Sequence, residues 1–118
     1  MKSKILLRRI ISIFFLLSLL IANNKQTITI IDSNNILGEA DIFKQDQYYL
    51  SINDFGDIID NGSFINQKTE KIVIYIDNLK IKFSHNISFV VIDENIYQME
   101  SKVVKKDKEY YMPMDSFF

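Results

Sequence analysis

The chain has 118 residues, a formal net charge of −1 and no cysteine. Its length leaves room for one small domain, and its hydrophobic content of 47% excludes a disordered protein. With one histidine and no cysteine, the chain has no thiol nucleophile, no cysteine zinc site and no site that needs two imidazoles.

The first 22 residues have the pattern of an export signal. Residues 1–9 carry four basic and no acidic residues, and residues 10–21 form an apolar run interrupted only by Ser12 and Ser18. Such a run suits the hydrophobic segment of a signal peptide and is short for a bilayer span of about 20 residues. We predict a signal helix over residues 1–22 that is cleaved after Ala22, with retention as an uncleaved membrane anchor as the alternative. The protein is then periplasmic, extracellular or associated with the cell envelope.

Residues 23–118 form the predicted domain, which is mildly acidic. The N-terminal segment takes four of the 14 basic residues and none of the 15 acidic ones, so the domain carries a net charge of −5. A nucleic-acid-binding surface needs a basic face to meet phosphates. We therefore predict no nucleic-acid partner, and contact with a membrane only through an uncleaved N-terminal segment.

Short strands dominate the pattern of the domain. Residues 26–32 alternate between Ile and Thr, which indicates a half-buried strand, and residues 36–45 form a less regular strand with a break near Gly38. Residues 71–77 are apolar on both faces, as in a central strand. Polar turns recur every seven to eleven residues in the second half of the chain, so we predict a mainly antiparallel meander in an α+β fold.

One short helix is predicted from Ser51 to the Asn61-Gly62 pair. Ser51 is a suitable N-cap residue, and Asp54 stands where a capping box carries an acid that reaches back to the cap. An apolar stripe along the helix indicates a packed face; it consists of Ile52, Phe55, Ile58 and Ile59.

Residues 48–55 and 110–117 form an internal repeat with a separation of 62 residues. In each copy an aromatic strand leads into a helix start, which is marked by Ser51 in the first copy and by Pro113 in the second. The second helix begins at Met114 in this prediction, and we expect it to be truncated because the sequence stops at Phe118.

These segments together resemble a known family. The order YYLSINDF, KIVIYID, IKFS, FVVID and KEYYMPMDSFF resembles the copper amine oxidase N-terminal-like domain of secreted bacterial proteins, over residues 26–118. One departure is the turn Asp93-Glu94-Asn95, where family members often carry Asn-Gly. The resemblance implies a stalk-type α+β domain without copper, of the kind often found in front of a cell-wall amidase or another extracytoplasmic enzyme.

Residues with chemical potential are few. The lone His85 is predicted to be a solvated turn residue, and neither a G-x-S-x-G elbow nor a glycine-rich phosphate loop is present in the sequence. We predict no catalytic residue, no metal and no cofactor. Any catalytic domain would lie beyond residue 118.

A cluster of lysines precedes the second aromatic strand. It protects a sheet edge with charge or contacts an anionic wall polymer such as peptidoglycan, or another envelope component. The candidate ligand contacts are Tyr48, Tyr49, Lys105, Lys106, Tyr110 and Tyr111.

The predicted function is that of an exported non-catalytic module that spaces, anchors or orients a cell-envelope enzyme. Two alternatives stay open. One is the N-terminal fragment of a cell-wall hydrolase similar to N-acetylmuramoyl-L-alanine amidase. The other is a stand-alone protein that binds an envelope partner through exposed strand edges or tyrosine-rich strands.

Overall fold

The computed structural model describes residues 16–22, 25–59 and 63–117. These residues form eleven strands, one α-helix and a short 3-10 turn. The helix is α1 (Ile52–Ile59) and the 3-10 turn is Met114–Ser116. The strands are β1 (Leu16–Ala22), β2 (Lys25–Asp32), β3 (Asn35–Lys44), β4 (Tyr48–Ser51), β5 (Phe64–Asn66), β6 (Lys71–Ile76), β7 (Leu79–Ser84), β8 (Phe89–Ile92), β9 (Asn95–Gln98), β10 (Val104–Lys106) and β11 (Glu109–Pro113).

The strands form two antiparallel sheets. Sheet A has the order β1-β2-β3-β4-β11-β10, and sheet B is the meander β5-β6-β7-β8-β9. The predicted α+β class with mainly antiparallel strands is confirmed, but the strands divide between two sheets where one was expected. The local alternation of a strand does not say which sheet it joins, because that depends on where the connections cross.

The core lies between the two sheets and is rich in isoleucine. Ile30 and Leu50 of sheet A and Phe83 of sheet B are completely buried. In β6 the even-numbered isoleucines are buried while Tyr75 is 37% exposed, so this strand is buried on one face only. The sequence predicted a central strand from the two apolar faces; β6 does lie between β5 and β7, but only one of its faces belongs to the core. Aromatic and β-branched residues favour a strand with an open face as much as one that is buried on both sides.

Helix α1 has the predicted N-cap and a hydrogen bond to β3. The Asp54 N–H donates to the Ser51 hydroxyl at 3.2 Å, which satisfies one of the free amides of the first turn. The Asp54 carboxylate accepts a hydrogen bond from the Asp41 backbone N–H at 2.8 Å, so the same residue attaches the helix to β3.

Gly38 lies at the predicted irregularity of β3. The strand is continuous, but its register with β2 shifts between Ile30 and Ile31, opposite this glycine. A Cβ atom at position 38 would lie 3.0 Å from Cγ1 of Ile58 in α1. The missing side chain therefore allows the helix to approach the sheet closely at this point.

The predicted signal helix lies mostly outside the described residues, which begin at Leu16. Leu16–Ala22, its last part, is the edge strand β1 and pairs with β2 over seven residues. This segment is a strand rather than a helix here, because its backbone N–H and C=O groups can form hydrogen bonds with the neighbouring strand β2. No helix in the described part of the chain has the length and apolar character needed to cross a bilayer. Export stays a prediction.

The internal repeat corresponds to a local two-fold arrangement in sheet A. The two aromatic strands β4 and β11 are antiparallel neighbours, and the equivalent residues Leu50 and Met112 lie directly opposite each other. Phe55 and Phe117, which are also equivalent, are both completely buried. After Pro113 the chain forms the single 3-10 turn Met114–Ser116, where the sequence predicted the start of a second α-helix.

Candidate functional site

Four polar side chains meet where the two sheets come together. Glu70 ends the turn before β6 with a positive φ of 54°, and His85 follows β7. Lys105 and Tyr110 come from β10 and β11 of sheet A. The backbone joins the sheets at the same place, because His85 forms a parallel bridge with Val103 and the Asn86 N–H donates to the Val103 carbonyl at 2.9 Å.

The Glu70 carboxylate is the centre of this cluster. Its Oε1 accepts hydrogen bonds from the Tyr110 hydroxyl at 2.7 Å and from Lys105 Nζ at 3.0 Å. Its Oε2 lies 3.0 Å from Nδ1 of His85. The three partners approach one carboxylate from both sheets, so the cluster is an ion-paired link across the seam. We call these four residues the seam cluster.

Contacts within the cluster shift the pKa values of Glu70, Tyr110 and Lys105 in directions that favour an ionised carboxylate beside protonated partners. Hydrogen bonds from Tyr110, Lys105 and His85, in that order, lower the pKa of Glu70 from 4.5 to about 2. Burial, and then the Glu70 carboxylate, raise the pKa of Tyr110. The hydrogen bond to Glu70 raises the pKa of Lys105. A carboxylate that stays ionised next to a phenol that stays protonated suits a structural link better than proton transfer.

His85 differs from its prediction. The sequence placed it in a solvated turn, whereas its side chain is 31% exposed and paired with Glu70, and its ring meets the edge of the Tyr110 ring at 5.7 Å. Nothing in the local sequence indicates this pairing, because Glu70 and His85 are 15 residues apart and meet only when β6 and β7 form a hairpin.

A second feature lies on the face of sheet A that points away from the core. Phe43 stacks on Tyr49 with a centroid distance of 5.1 Å and meets the edge of Tyr111 at 4.9 Å. The ammonium group of Lys106 lies 4.6 Å from the centre of the Phe43 ring. Beside this contact is an open groove with a volume of about 430 Å³. The residues that line it are Phe43, Gln45, Val104, Lys105 and Lys106. We call it the Phe43 groove.

The predicted ligand contacts divide between the groove and the interior. Tyr49, Tyr110 and Tyr111 are only 4%, 1% and 6% exposed, so none of these rings offers an open face in this structure. Burial, and then nearby Glu109, raise the pKa of Tyr111 far above that of a free tyrosine. Lys106 is exposed in the groove.

The two remaining candidates have intramolecular partners. Lys105 is bound to Glu70, and half-buried Tyr48 lies under the ammonium group of Lys44 at 5.5 Å. Sequence reasoning missed Phe43, the aromatic residue of the groove. The signal was available in the β3–β4 hairpin, where Phe43 lies opposite Tyr49.

The described residues contain no group of three histidine, aspartate or glutamate side chains that could hold a metal ion. Comparison with known proteins found no matching family model, no matching curated protein and no matching solved structure. The resemblance to the copper amine oxidase N-terminal-like domain therefore stays a prediction from sequence motifs.

Proposed function

We propose that the chain is an exported, non-catalytic module that anchors or orients a cell-envelope enzyme, and that it does so by binding an anionic wall polymer in the Phe43 groove. The observation that carries the proposal is the contact of Lys106 with the Phe43 ring on an open face of sheet A. The predicted signal segment and the resemblance to stalk-type domains supply the cellular context.

The chemistry of the groove suits a charged sugar chain. Tyr49 stacks on the Phe43 ring and the Lys106 ammonium group lies over it, so the ring holds this ammonium group in place at the surface. The ammonium group attracts the carboxylates or phosphates of a wall polymer. The groove is open along the surface, so a long chain can pass through it. A small metabolite is normally enclosed in a pocket that buries most of its surface.

The seam cluster supports the mechanical part of this role. A module that orients another domain has to keep its own two sheets in a fixed relation. Glu70 receives hydrogen bonds or ion pairs from both sheets and stays ionised well below neutral pH. The link therefore persists throughout the pH range in which envelope proteins work.

Co-sedimentation of the protein with purified peptidoglycan that carries its anionic polymers tests the proposal. Phe43→Ala should weaken retention because it removes the ring that positions the Lys106 ammonium group, and Lys106→Glu should weaken it because it reverses the charge of the groove. Two matched variants in sheet B should leave it unchanged: Phe64→Ala at a residue 68% exposed, and Lys68→Glu in an exposed turn. Raising the salt concentration should weaken wild-type retention.

Two results would contradict the proposal. Retention that is equal in the groove variants and in their sheet B controls would place any wall contact elsewhere. Hydrolysis of wall material by the purified chain would contradict a non-catalytic role.

A further inference from the structure

The edge of β2 in sheet A is covered only by the segment that the sequence assigns to export. β1 pairs with β2 in an unbroken register of seven residues, from Leu16 opposite Ile31 to Ala22 opposite Lys25. On its other side β2 pairs with β3. β1 therefore caps this edge in the full chain.

Export frees the edge whichever form of the N-terminus is produced. Cleavage after Ala22 removes all of β1. Retention as an anchor places the apolar run, residues 10–21, in the bilayer, where its backbone groups must be satisfied within the membrane segment and cannot pair with β2. In both cases the exported domain carries β2 as its edge strand.

The freed edge lacks the usual protection against pairing. Residues 26–31 carry no charge and no proline, and β2 extends over eight residues. The opposite edge strand of the same sheet, β10, has three residues, of which two are the exposed Lys105 and Lys106. Charged residues and short length are the means by which natural sheet edges avoid one another, so of the two described edges of sheet A the β2 edge is the one open to pairing once β1 is gone.

We propose that two exported copies of this chain pair through β2, antiparallel, with a two-fold axis at Thr29. The inference rests on the export part of the proposed function. Ile28 and Ile30 face the core. The register between the two β2 strands must therefore place even-numbered residues opposite even-numbered ones, because a slip by one residue would turn the core face outwards. Centring on Thr29 places Ile28 opposite Ile30 of the second copy and Gln26 opposite its Asp32.

This pairing is self-complementary in composition. Apolar residues continue the core face across the new strand pair, and Gln26 can donate to the Asp32 carboxylate at each end. On the other face Thr29, which is 8% exposed in the full chain, meets Thr29 of the second copy. Each copy contributes five strands of sheet A, in the spatial order β2-β3-β4-β11-β10. The dimer therefore contains one continuous sheet of ten strands. The same surface serves both partners, as an isologous two-fold interface requires.

Cysteine cross-linking of the exported protein tests the register. The chain has no native cysteine, so a single introduced thiol reports one position. The full chain is expressed with its own N-terminus in a bacterial host, the exported form is purified, and its N-terminus is determined by mass spectrometry. Thr29→Cys should form a covalent dimer under mild oxidation, because residues on the two-fold axis face each other. Ile96→Cys is the matched control, at an exposed residue on β9, the edge of sheet B, and should stay monomeric.

The unmodified exported chain should have a molar mass double that of the monomer in light scattering, and Thr29→Lys should reduce it to the monomer. Within its own sheet this lysine lies opposite Glu39. Across the two-fold axis it lies opposite the same lysine of the second copy, and the two like charges repel each other. Circular dichroism checks that the variant is folded.

Three outcomes would overturn the inference: an exported chain that stays monomeric up to its solubility limit, equal cross-linking of Thr29→Cys and Ile96→Cys, or a monomer that captures a different protein on β2. A full chain recovered intact from the cytosol would overturn export as well. Loss of wall binding in a protein that still dimerises would contradict only the proposed function.

Discussion

Replacing Phe117 by alanine tests whether the second half of the repeat is part of the core. Phe117 is completely buried and its ring centroid lies 5.8 Å from that of Phe83 in sheet B. It is also the last residue that the structure describes. Its equivalent in the repeat, Phe55, is equally buried.

The expected cost follows from the buried area. A buried phenylalanine removes about 200 Å² of surface from water, which at about 25 cal/mol per Å² stabilises the fold by about 5 kcal/mol. Alanine keeps the Cβ but leaves a cavity, so Phe117→Ala should destabilise the protein by about 4 kcal/mol. A domain of this size has a total stability of roughly 5–15 kcal/mol, so the variant loses a quarter or more of it.

Urea unfolding, followed by far-UV circular dichroism, measures this loss. Because the chain has no tryptophan, tyrosine fluorescence serves as the second probe. Phe55→Ala should have a comparable effect, whereas Phe64→Ala, at a residue 68% exposed, should change the free energy of unfolding by less than about 0.5 kcal/mol. If Phe117→Ala costs less than about 1 kcal/mol, the packing of this turn against sheet B is refuted.

Three further outcomes are expected. Removing the helix cap with Ser51→Ala should lower the free energy of unfolding by about 1 kcal/mol in the same urea assay, and an unchanged value would contradict the cap. Because the pKa of Glu70 falls from 4.5 to about 2 on folding, its carboxylate contributes stability above pH 4.5 that is lost as the pH falls towards 2. Glu70→Gln should flatten the fall of the urea midpoint in that window, and the exposed-turn control Glu94→Gln should keep the wild-type slope. In alkaline titration at 295 nm, Tyr111→Phe should leave the native absorbance change near pH 10 unaltered, because Tyr111 stays protonated there; a smaller change would contradict its raised pKa.

Local pattern was sufficient for several elements of this fold. The Ile–Thr alternation of β2 and the Ser51 cap of α1 each depend on neighbouring residues, and both are found in the structure. The assignment of strands to two sheets was not predictable, because it depends on where the chain crosses after β4. The 3-10 turn at Met114–Ser116 was missed for a related reason, since Pro113 marks the start of either kind of helix.

The site shows the same division between local and long-range information. The sequence indicated that lysines and tyrosines of the last hairpin belong together, and Lys105 and Tyr110 do meet on one carboxylate. Their partner Glu70 lies 35 and 40 residues away, in a polar turn that resembles any other turn. Tyr49 and Tyr111 were candidates for ligand contact, but both are buried, because alternation alone does not distinguish a covered aromatic face from an open one.

The position of β11 constrains the order in which the protein can fold. β11 lies between β4 and β10 within sheet A, although it is the last strand in the chain. A chain that crosses a membrane with its N-terminus first exposes β2, β3 and β4 well before β11 emerges, and β4 then has no neighbour on one side. In a chain that is exported in this way, sheet A is completed only after residues 109–113 have been translocated.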